Sequence, residues 1–517
     1  MTYDDIILGG GHNGLTAAAY LGRAGRKVLV LERADHVGGA AVSARTFPGV
    51  DARLSRYSYL VSLMPRQIIA DLELDVTLVR RRYASFTPLP SAPSQGLLVD
   101  IGDDAATSRG FGELTGFSAE YQQWQRFEAR MTSLAERVFP TMVQPLRSRA
   151  QVRDLVGDDD LWRSVVERPL GEVLRSTFAN DTVRGIVASD ALIGTFADLD
   201  GASLAQNICF LYHRIGNGTG DWDVPVGGMG AVTGALAKAA VSAGASILTG
   251  VEVIAVDPGG TVTWRDGAGE RYAAGSTILS NLAPVVLNGL LAAAGADPLA
   301  TETAPEGSQL KVNMVLTRLP RLREASVDPE AAFAGTFHVN EDFSQLQLAF
   351  ATASGGQIPH LVPCEIYCHS LSDRSILGVD LAATDAQTLT LFAMHLPARL
   401  FRSENAAQRQ VALAATLRSL NSLLAEPIED VIMRDGNGQM CLEARTPVDL
   451  ENDLGLPGGN IFHRSLQWPW AENPAEVGTW GVETAYEKVL ICGAGARRGG
   501  GVSGIPGHNA AQRVLER

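Results

Sequence analysis

The apolar positions at the start of the chain change their period twice. Residues 4–8 form a short apolar run that ends in glycine, the pattern of a buried parallel strand. Leu15, Ala18 and Gly22 then recur at helical spacing, and residues 27–31 form a second apolar run. The pattern predicts a strand, a helix and a second strand, which together form the βαβ unit of a parallel sheet.

The later pattern returns to this sheet in two further blocks. Residues 227–243 predict a glycine-rich turn and a helix, and residues 489–492 predict a strand that enters another glycine loop. Between the blocks, one segment has an apolar stripe at helical spacing and the other has alternating runs, such as residues 310–316. We expect an α/β fold (α+β overall) with three parts: a discontinuous Rossmann-like domain of residues 1–72, 222–292 and 484–517, a mainly helical cap of residues 73–221, and a mixed-sheet substrate domain of residues 293–483.

The loop between the first strand and the helix has the form G-x-G-x-x-G. Gly9 permits a tight turn, Gly11 lets the backbone approach a pyrophosphate, and Gly14 lets the helix lie close to the strand. His12 and Asn13 stand at the start of the helix, where free N–H groups and the helix dipole favour phosphate. The loop therefore predicts an adenine dinucleotide, without deciding between NAD and FAD.

A second signal follows the second strand and favours FAD. Glu32 stands where an acid accepts hydrogen bonds from a ribose. Gly38 and Gly39 follow at the spacing of the extended flavoprotein fingerprint, in which the chain turns back beneath the pyrophosphate, and Arg33 and Ala40 lie along the same path. No later glycine-rich turn completes the pattern, so we expect one FAD and no dedicated NAD(P) domain.

Composition and charge limit the classes of function. The formal net charge is −14 without long single-sign runs, which argues against nucleic acid or anionic membrane as a partner. No targeting signal and no uninterrupted apolar run long enough to span a membrane is present, so we expect a cytoplasmic protein; peripheral membrane contact stays open. The cluster of Cys364, Cys368 and His369 has no second ligand pair, so we expect no metal site.

Three segments of the chain resemble phytoene desaturase-related flavoproteins. Residues 9–39, 226–230 and 492–509 carry the glycine motifs of that family in order. Residues 458–463 fit the phytoene-dehydrogenase-like branch of the flavin amine oxidase and carotenoid desaturase superfamily. The resemblance implies FAD bound without a covalent link across a discontinuous domain, with an apolar substrate channel over the isoalloxazine ring.

The resemblance also implies further cofactor contacts. Gly501, Val502 and Ser503 are similar in position to residues near the pyrimidine edge of the flavin, and Val253 is similar to a strand residue whose backbone faces adenine. Gly495 belongs to the glycine loop before the last helix, where backbone N–H groups can face an electron-rich ligand.

One departure from the family pattern affects the candidate chemistry. Where relatives commonly have Thr-His-Pro, this chain has Ala496-Arg497-Arg498. Two cations beside a flavin would favour an anionic reduced ring or bind a substrate carboxylate or phosphate; alternatively, one or both pair with an acid or face solvent. His463 is a candidate acid or base, with a structural histidine as the alternative. Arg497, Arg498 and His463 are therefore the catalytic candidates.

These patterns together predict an FAD-dependent oxidoreductase. Flavin N5 accepts a hydride from carbon, so the protein need only orient the substrate and exclude water. We expect dehydrogenation of a C–C or C–N bond in a partly apolar small molecule, which would be anionic if the arginines face it. Two alternatives stay open: a flavin-dependent double-bond isomerase without net redox, and a flavin-stabilised interaction protein without turnover. The sequence also leaves the electron acceptor and the oligomeric state open.

Overall fold

The computed structural model describes residues 2–302 and 304–516, which form two large sheets and a group of helices. The strands are β1 (Thr2–Leu8), β2 (Val28–Leu31), β3 (Ser43–Arg45), β4 (Arg53–Ser55), β5 (Leu78–Val79), β6 (Tyr83–Leu89), β7 (Ala92–Asp100), β8 (Val224–Pro225), β9 (Ser246–Leu248), β10 (Glu252–Asp257), β11 (Thr261–Asp266), β12 (Gly269–Ser280), β13 (Leu310–Leu316), β14 (Thr336–Val339), β15 (Cys364–Tyr367), β16 (Gln387–Ala393), β17 (Leu442–Arg445) and β18 (Val489–Ile491).

The helices vary from single turns to long rods. They are α1 (His12–Arg23), α2 (Arg66–Asp71), α3 (Asp104–Thr115), α4 (Ser118–Val138), α5 (Arg149–Val156), α6 (Asp159–Trp162), α7 (Leu170–Thr177), α8 (Asp181–Ser189), α9 (Ala205–Arg214), α10 (Met229–Ser242), α11 (Pro284–Ala293), α12 (Pro329–Ala334), α13 (Phe343–Ser354), α14 (His369–Ser372), α15 (Val379–Ala382), α16 (Asn405–Asn421), α17 (Pro447–Leu454) and α18 (Ile505–Leu515). Within the described ranges, no helix is long and apolar enough to cross a membrane.

The first sheet contains the predicted βαβ unit. Strand β1 lies between β12 and β2, parallel to both, and β2 pairs in parallel with β9. The C-terminal strand β18 is parallel to β12, so three distant segments of the chain meet in one sheet. Since the carboxyl ends of parallel strands share one edge, the loops after β1, β2 and β18 lie there together.

The second sheet is mixed, as expected. Its strand order is β17-β13-β16-β15-β14-β6-β7, and its pairs are antiparallel except for β14 with β6. The predicted α/β fold with a Rossmann-like domain and a mixed sheet is therefore confirmed. Strands β6 and β7 come from residues 73–221, which the sequence assigned to the cap. The division into three domains stays a prediction.

The helices between β7 and β8 contribute most of one hydrophobic core. Met131 and Leu134 of α4, together with Trp162, Phe178 and Phe210, are buried in this core. The apolar stripe at helical spacing thus packs inward, and the helices stand beside both sheets. A cavity lies between these helices and the sheets.

Candidate flavin and substrate site

Two glycine segments lie against each other at the carboxyl edge of the first sheet. Gly11 and Gly38 form a parallel bridge, and the N–H of Gly38 donates to the carbonyl of Gly10 over 2.9 Å. Gly9 has a φ of +93°, and a Cβ on Gly14 would lie 2.3 Å from the carbonyl oxygen of Gly9. The predicted pyrophosphate path is therefore a surface of bare backbone at the N-terminus of α1, as anion binding requires.

A cavity of about 850 Å³ lies next to these glycine segments. Glu32, Arg33 and Val253 all line it, together with Gly9 and Gly39. The Glu32 carboxylate accepts hydrogen bonds from the N–H of Gly10 (2.7 Å) and of Ala34 (2.8 Å), which holds it at the end of β2. The structure thus brings together the residues expected around the adenosine half of the cofactor.

A second cavity, of about 640 Å³, also lies next to the glycine segments. His12, Ala40, Gly501 and Val502 line it, so the N-terminal and C-terminal glycine loops form one wall. Tyr57 lines both cavities, which shows that they adjoin. The volume of the second cavity is in the range of small-molecule and cofactor sites.

The residues at the bridge fit an extended dinucleotide. Nε2 of His12 and Oδ1 of Asn13 are buried and have no hydrogen-bond partner among the described residues, which is costly unless a ligand satisfies them. Burial lowers the pKa of His12 to about 4, so its ring is neutral at pH 7. FAD can therefore place its adenosine beside Glu32, its pyrophosphate at Gly11 and Gly39, and its ring system in the second cavity.

The other predicted cofactor residues support the C-terminal loop. The Ser503 hydroxyl is buried and accepts the N–H of Ile505 over 3.2 Å, at the start of α18. A Cβ on Gly507 would lie 2.0 Å from the carbonyl oxygen of Asn13, so α18 packs closely on α1. Gly495 is buried against Pro284 and lines neither cavity.

The two arginines are held by the protein itself. Arg497 forms ion pairs with Glu472 (2.9 Å) and Glu476. Arg498 is buried and donates to the carbonyl oxygens of Pro469 (3.2 Å) and Met142 (3.1 Å). Neither residue lines either of the two cavities described above. The sequence left open whether the arginines stand beside the flavin or pair with an acid or face solvent. Arg497 pairs with acids.

His463 also lies outside the two cavity walls. Its backbone has a φ of +65°, and its Nδ1 is buried without a partner in the described part of the chain. Burial lowers the pKa of His463 to about 4, and the ring is close enough that a charge on it would lower the pKa of His12. A neutral, supporting histidine behind the glycine loop agrees with these contacts, and its catalytic role stays a prediction.

The sequence did not identify the opposite wall of the second cavity. Lys311 of β13, Phe392 of β16, Glu365 of β15 and His338 of β14 stand directly opposite one another in successive strands. Because paired residues project from the same face of a sheet, these four side chains form a row, and all of them line the cavity. They are separated by up to 81 positions in the chain (392 − 311), and only the strand register joins them.

Lys311 is the least expected member of this row. It is 3% exposed, and its Nζ has no hydrogen-bond partner among the residues described. Nζ lies 3.7 Å from the centroid of the Phe392 ring. Burial lowers the pKa of Lys311 well below its usual value of 10.5, which favours the neutral amine.

Glu365 and His338 belong to a buried acid cluster. Burial raises the pKa of Glu365 to about 7, while the hydroxyl of Tyr367 donates to its carboxylate. Nδ1 of His338 is hydrogen-bonded to Glu341. The helices and neighbouring loops contribute apolar side chains, namely Leu63, Trp124, Ile186, Val187, Ile193 and Phe462. They also contribute polar ones, among them Glu128, Asp190, His213 and Arg214.

Comparison with known proteins supports this assignment. A family model described as an NAD(P)-binding Rossmann-like domain matches residues 7–66. A putrescine oxidase structure superposes with a TM-score of 0.56 and 15% identity, covering all of both chains, which shows a shared fold. The fold, the glycine path and the two cavities define a flavin-dependent oxidoreductase with FAD as its cofactor.

Two full-length relatives place the chain more closely. An uncharacterized protein of Mycobacterium tuberculosis is 50% identical over 99% of this chain and 97% of its own length. The pyridine nucleotide-disulfide oxidoreductase domain-containing protein 2 of Rattus norvegicus is 30% identical over 99% of this chain and 93% of its own. The chain belongs to the family of these two proteins.

Proposed function

We propose that the protein dehydrogenates a partly apolar small molecule that carries one polar group, with FAD as the hydride acceptor. One observation carries the proposal: the second cavity adjoins the dinucleotide path and is lined by a group of apolar side chains as well as by the polar row on the second sheet. Bound FAD supplies N5 as a hydride acceptor. The helices would hold the apolar part of the substrate, and the row on the second sheet would hold its polar group.

Lys311 is the proposed proton acceptor. Dehydrogenation removes a hydride and a proton, and the proton needs a base with a free lone pair inside the cavity. The buried amine of Lys311 has no partner within the described residues and has a lowered pKa, so it is available as that base. Breaking the substrate X–H or C–H bond then leaves the electron pair on the substrate and the proton on Nζ.

The bond that is oxidised separates two versions of the proposal. The putrescine oxidase in the fold comparison acts on an amine, which favours a C–N bond. The phytoene-dehydrogenase-like branch, which we retain as the finer proposal, favours a C–C bond. The sequence pattern of residues 458–463 supports that branch, and one residue of the segment, Phe462, lines the cavity. Polar groups on the cavity wall favour a substrate other than a pure hydrocarbon. A cytoplasmic location is part of the same proposal.

Anaerobic mixing tests this function. The purified protein would be mixed without oxygen with amines and with apolar molecules that carry one polar group, while the absorbance of oxidised FAD is followed. We expect at least one compound to bleach the flavin and to be recovered as its dehydrogenated product. Conversion only with pre-reduced flavin, without bleaching, would show the isomerase instead. A protein that binds FAD but converts no compound in either state would favour the interaction protein.

A further inference from the structure

Two buried carboxyl groups, one of them on the wall of the second cavity, lie together without a lysine or arginine paired to either in the described part of the chain. Glu341 is 2% exposed and Glu365 is 3% exposed. In the described part of the chain, neither forms an ion pair with lysine or arginine, and Glu341 pairs only with His338. Buried carboxylates require a compensating cation, a metal ion or a bound proton. The cluster therefore has an unbalanced charge in its ionised state.

The three side chains converge from two neighbouring strands and from the segment that follows the first of them. His338 lies near the end of β14, and Glu365 stands directly opposite it in β15. Asn340, with a φ of +52°, turns the chain so that Glu341 comes back beside His338. One potential ligand atom from each residue lies within 4.8 Å of the others. This convergence of one nitrogen and two carboxylates is a ligand set.

One atom of the cluster has no partner. Oε1 of Glu341 is buried and accepts no hydrogen bond from any described residue, although such atoms are nearly always satisfied in proteins. The other two members line the cavity, so water or substrate can reach the cluster from one side. The hydroxyl of Tyr367 donates to Glu365 and orients it, which is how groups outside a ligand set commonly hold it.

We propose that His338, Glu341 and Glu365 bind one divalent transition-metal ion such as Zn²⁺. Two carboxylates balance the two charges of the ion, and an imidazole nitrogen favours a transition metal over Mg²⁺ or Ca²⁺. Ligands about 2.0–2.2 Å from zinc stand up to about 4 Å apart, so the cluster closes by less than about 1 Å on binding. Three protein ligands leave a position open toward the cavity.

That open position suggests what the ion does. It faces the space assigned to the substrate, where it would bind an oxygen or nitrogen of the polar group. This consequence rests on the proposed function, whereas metal binding itself does not. Metal binding and the role of the ion in substrate binding are tested separately, since metal binding requires no turnover.

Metal binding is measured on the full-length, FAD-loaded protein without a polyhistidine tag. Equilibrium dialysis against Zn²⁺ should give one tightly bound ion per chain, and Co²⁺ should give visible d–d absorption that Zn²⁺ abolishes. His338→Gln and Glu341→Gln should each lower the affinity about tenfold or more. His360→Gln, at an exposed histidine outside the cluster, should leave it unchanged.

FAD content and near-ultraviolet circular dichroism establish that each variant is folded. If His338→Gln fails this check, the nearly isosteric Glu341→Gln and Glu365→Gln variants carry the test. Absence of a stoichiometric ion in the wild type would overturn the proposal, and so would an affinity that all folded variants retain. The carboxyl groups would then hold protons. Flavin bleaching by a substrate would still support the proposed function in that case.

Discussion

The two cavity walls use different chemistry. The wall on the first sheet consists mainly of small residues of the glycine loops, among them Ala40, Gly500 and Gly501, which leave the backbone accessible to a ligand. The wall on the second sheet consists of long side chains, with Lys311 and Glu365 in one row across the strands. We infer that the first wall holds the cofactor and that the second decides which substrate reacts.

The largest effect is expected from adding one methyl group to the glycine loop after β1, which forms part of the cofactor region. Gly14→Ala would place a Cβ 2.3 Å from the Gly9 carbonyl oxygen, so the helix must move away from the strand. We expect loss of bound FAD and about 1–3 kcal/mol of lost stability. Flavin content after purification and urea unfolding measure the two effects. Gly112→Ala is the control, since its Cβ meets nothing within 4 Å.

The opposite test removes the base from the side-chain wall. Lys311→Met keeps the approximate volume and the apolar stem of the side chain but removes the amine that accepts the proton. We expect FAD binding to persist while flavin reduction by substrate slows about 10²–10⁴-fold. Stopped-flow absorbance measures the rate at which substrate bleaches the flavin. In the control variant Lys238→Met, at an exposed position, the flavin should be reduced at the wild-type rate. A Lys311→Met variant as fast as the wild type would remove Lys311 from the mechanism.

A single side chain in the cofactor region should matter less than its backbone. Glu32→Gln retains the shape of the carboxylate but weakens its hydrogen bonds to Gly10, Ala34 and the expected ribose. Hydrogen bonds to charged groups contribute about 1.5–3 kcal/mol, so the FAD dissociation constant should rise about ten- to hundredfold. Titration of the apoprotein by flavin fluorescence reports this constant. An unchanged constant would place the ribose elsewhere, and Glu113→Gln controls for the loss of charge.

The stability of the side-chain wall should depend on pH in a defined direction. Folding lowers the pKa of Lys311 below 10.5, so the unfolded state binds the extra proton between the two values. The wild type therefore gains stability as pH rises through that window, by about 1.4 kcal/mol per pH unit from this group. Lys311→Met should be more stable than the wild type at neutral pH, with a difference that shrinks toward pH 10.5.

Urea unfolding of both proteins across this range measures the difference. The free energy of unfolding of the control variant Lys238→Met should differ from that of the wild type by the same amount at every pH. A constant difference between Lys311→Met and the wild type would mean that Lys311 keeps its ordinary pKa when folded.

The two walls also differ in how far the sequence predicts them. The glycine path was predictable because its residues are contiguous and their spacing follows from backbone geometry, as Gly9, Gly11 and Gly14 show. The polar row was not, because strand register alone joins Lys311 to Glu365. The predicted role of Arg497 shows the same limit: its position is visible in the sequence, but its partners Glu472 and Glu476 are set by folding.

A crystal structure of the FAD-loaded protein tests the central claim most directly. The account predicts adenosine between Glu32 and Val253, pyrophosphate at Gly11 and Gly39, and the flavin ring in the cavity faced by Lys311. A ring system outside that cavity, or a protein that takes up no FAD, would contradict it.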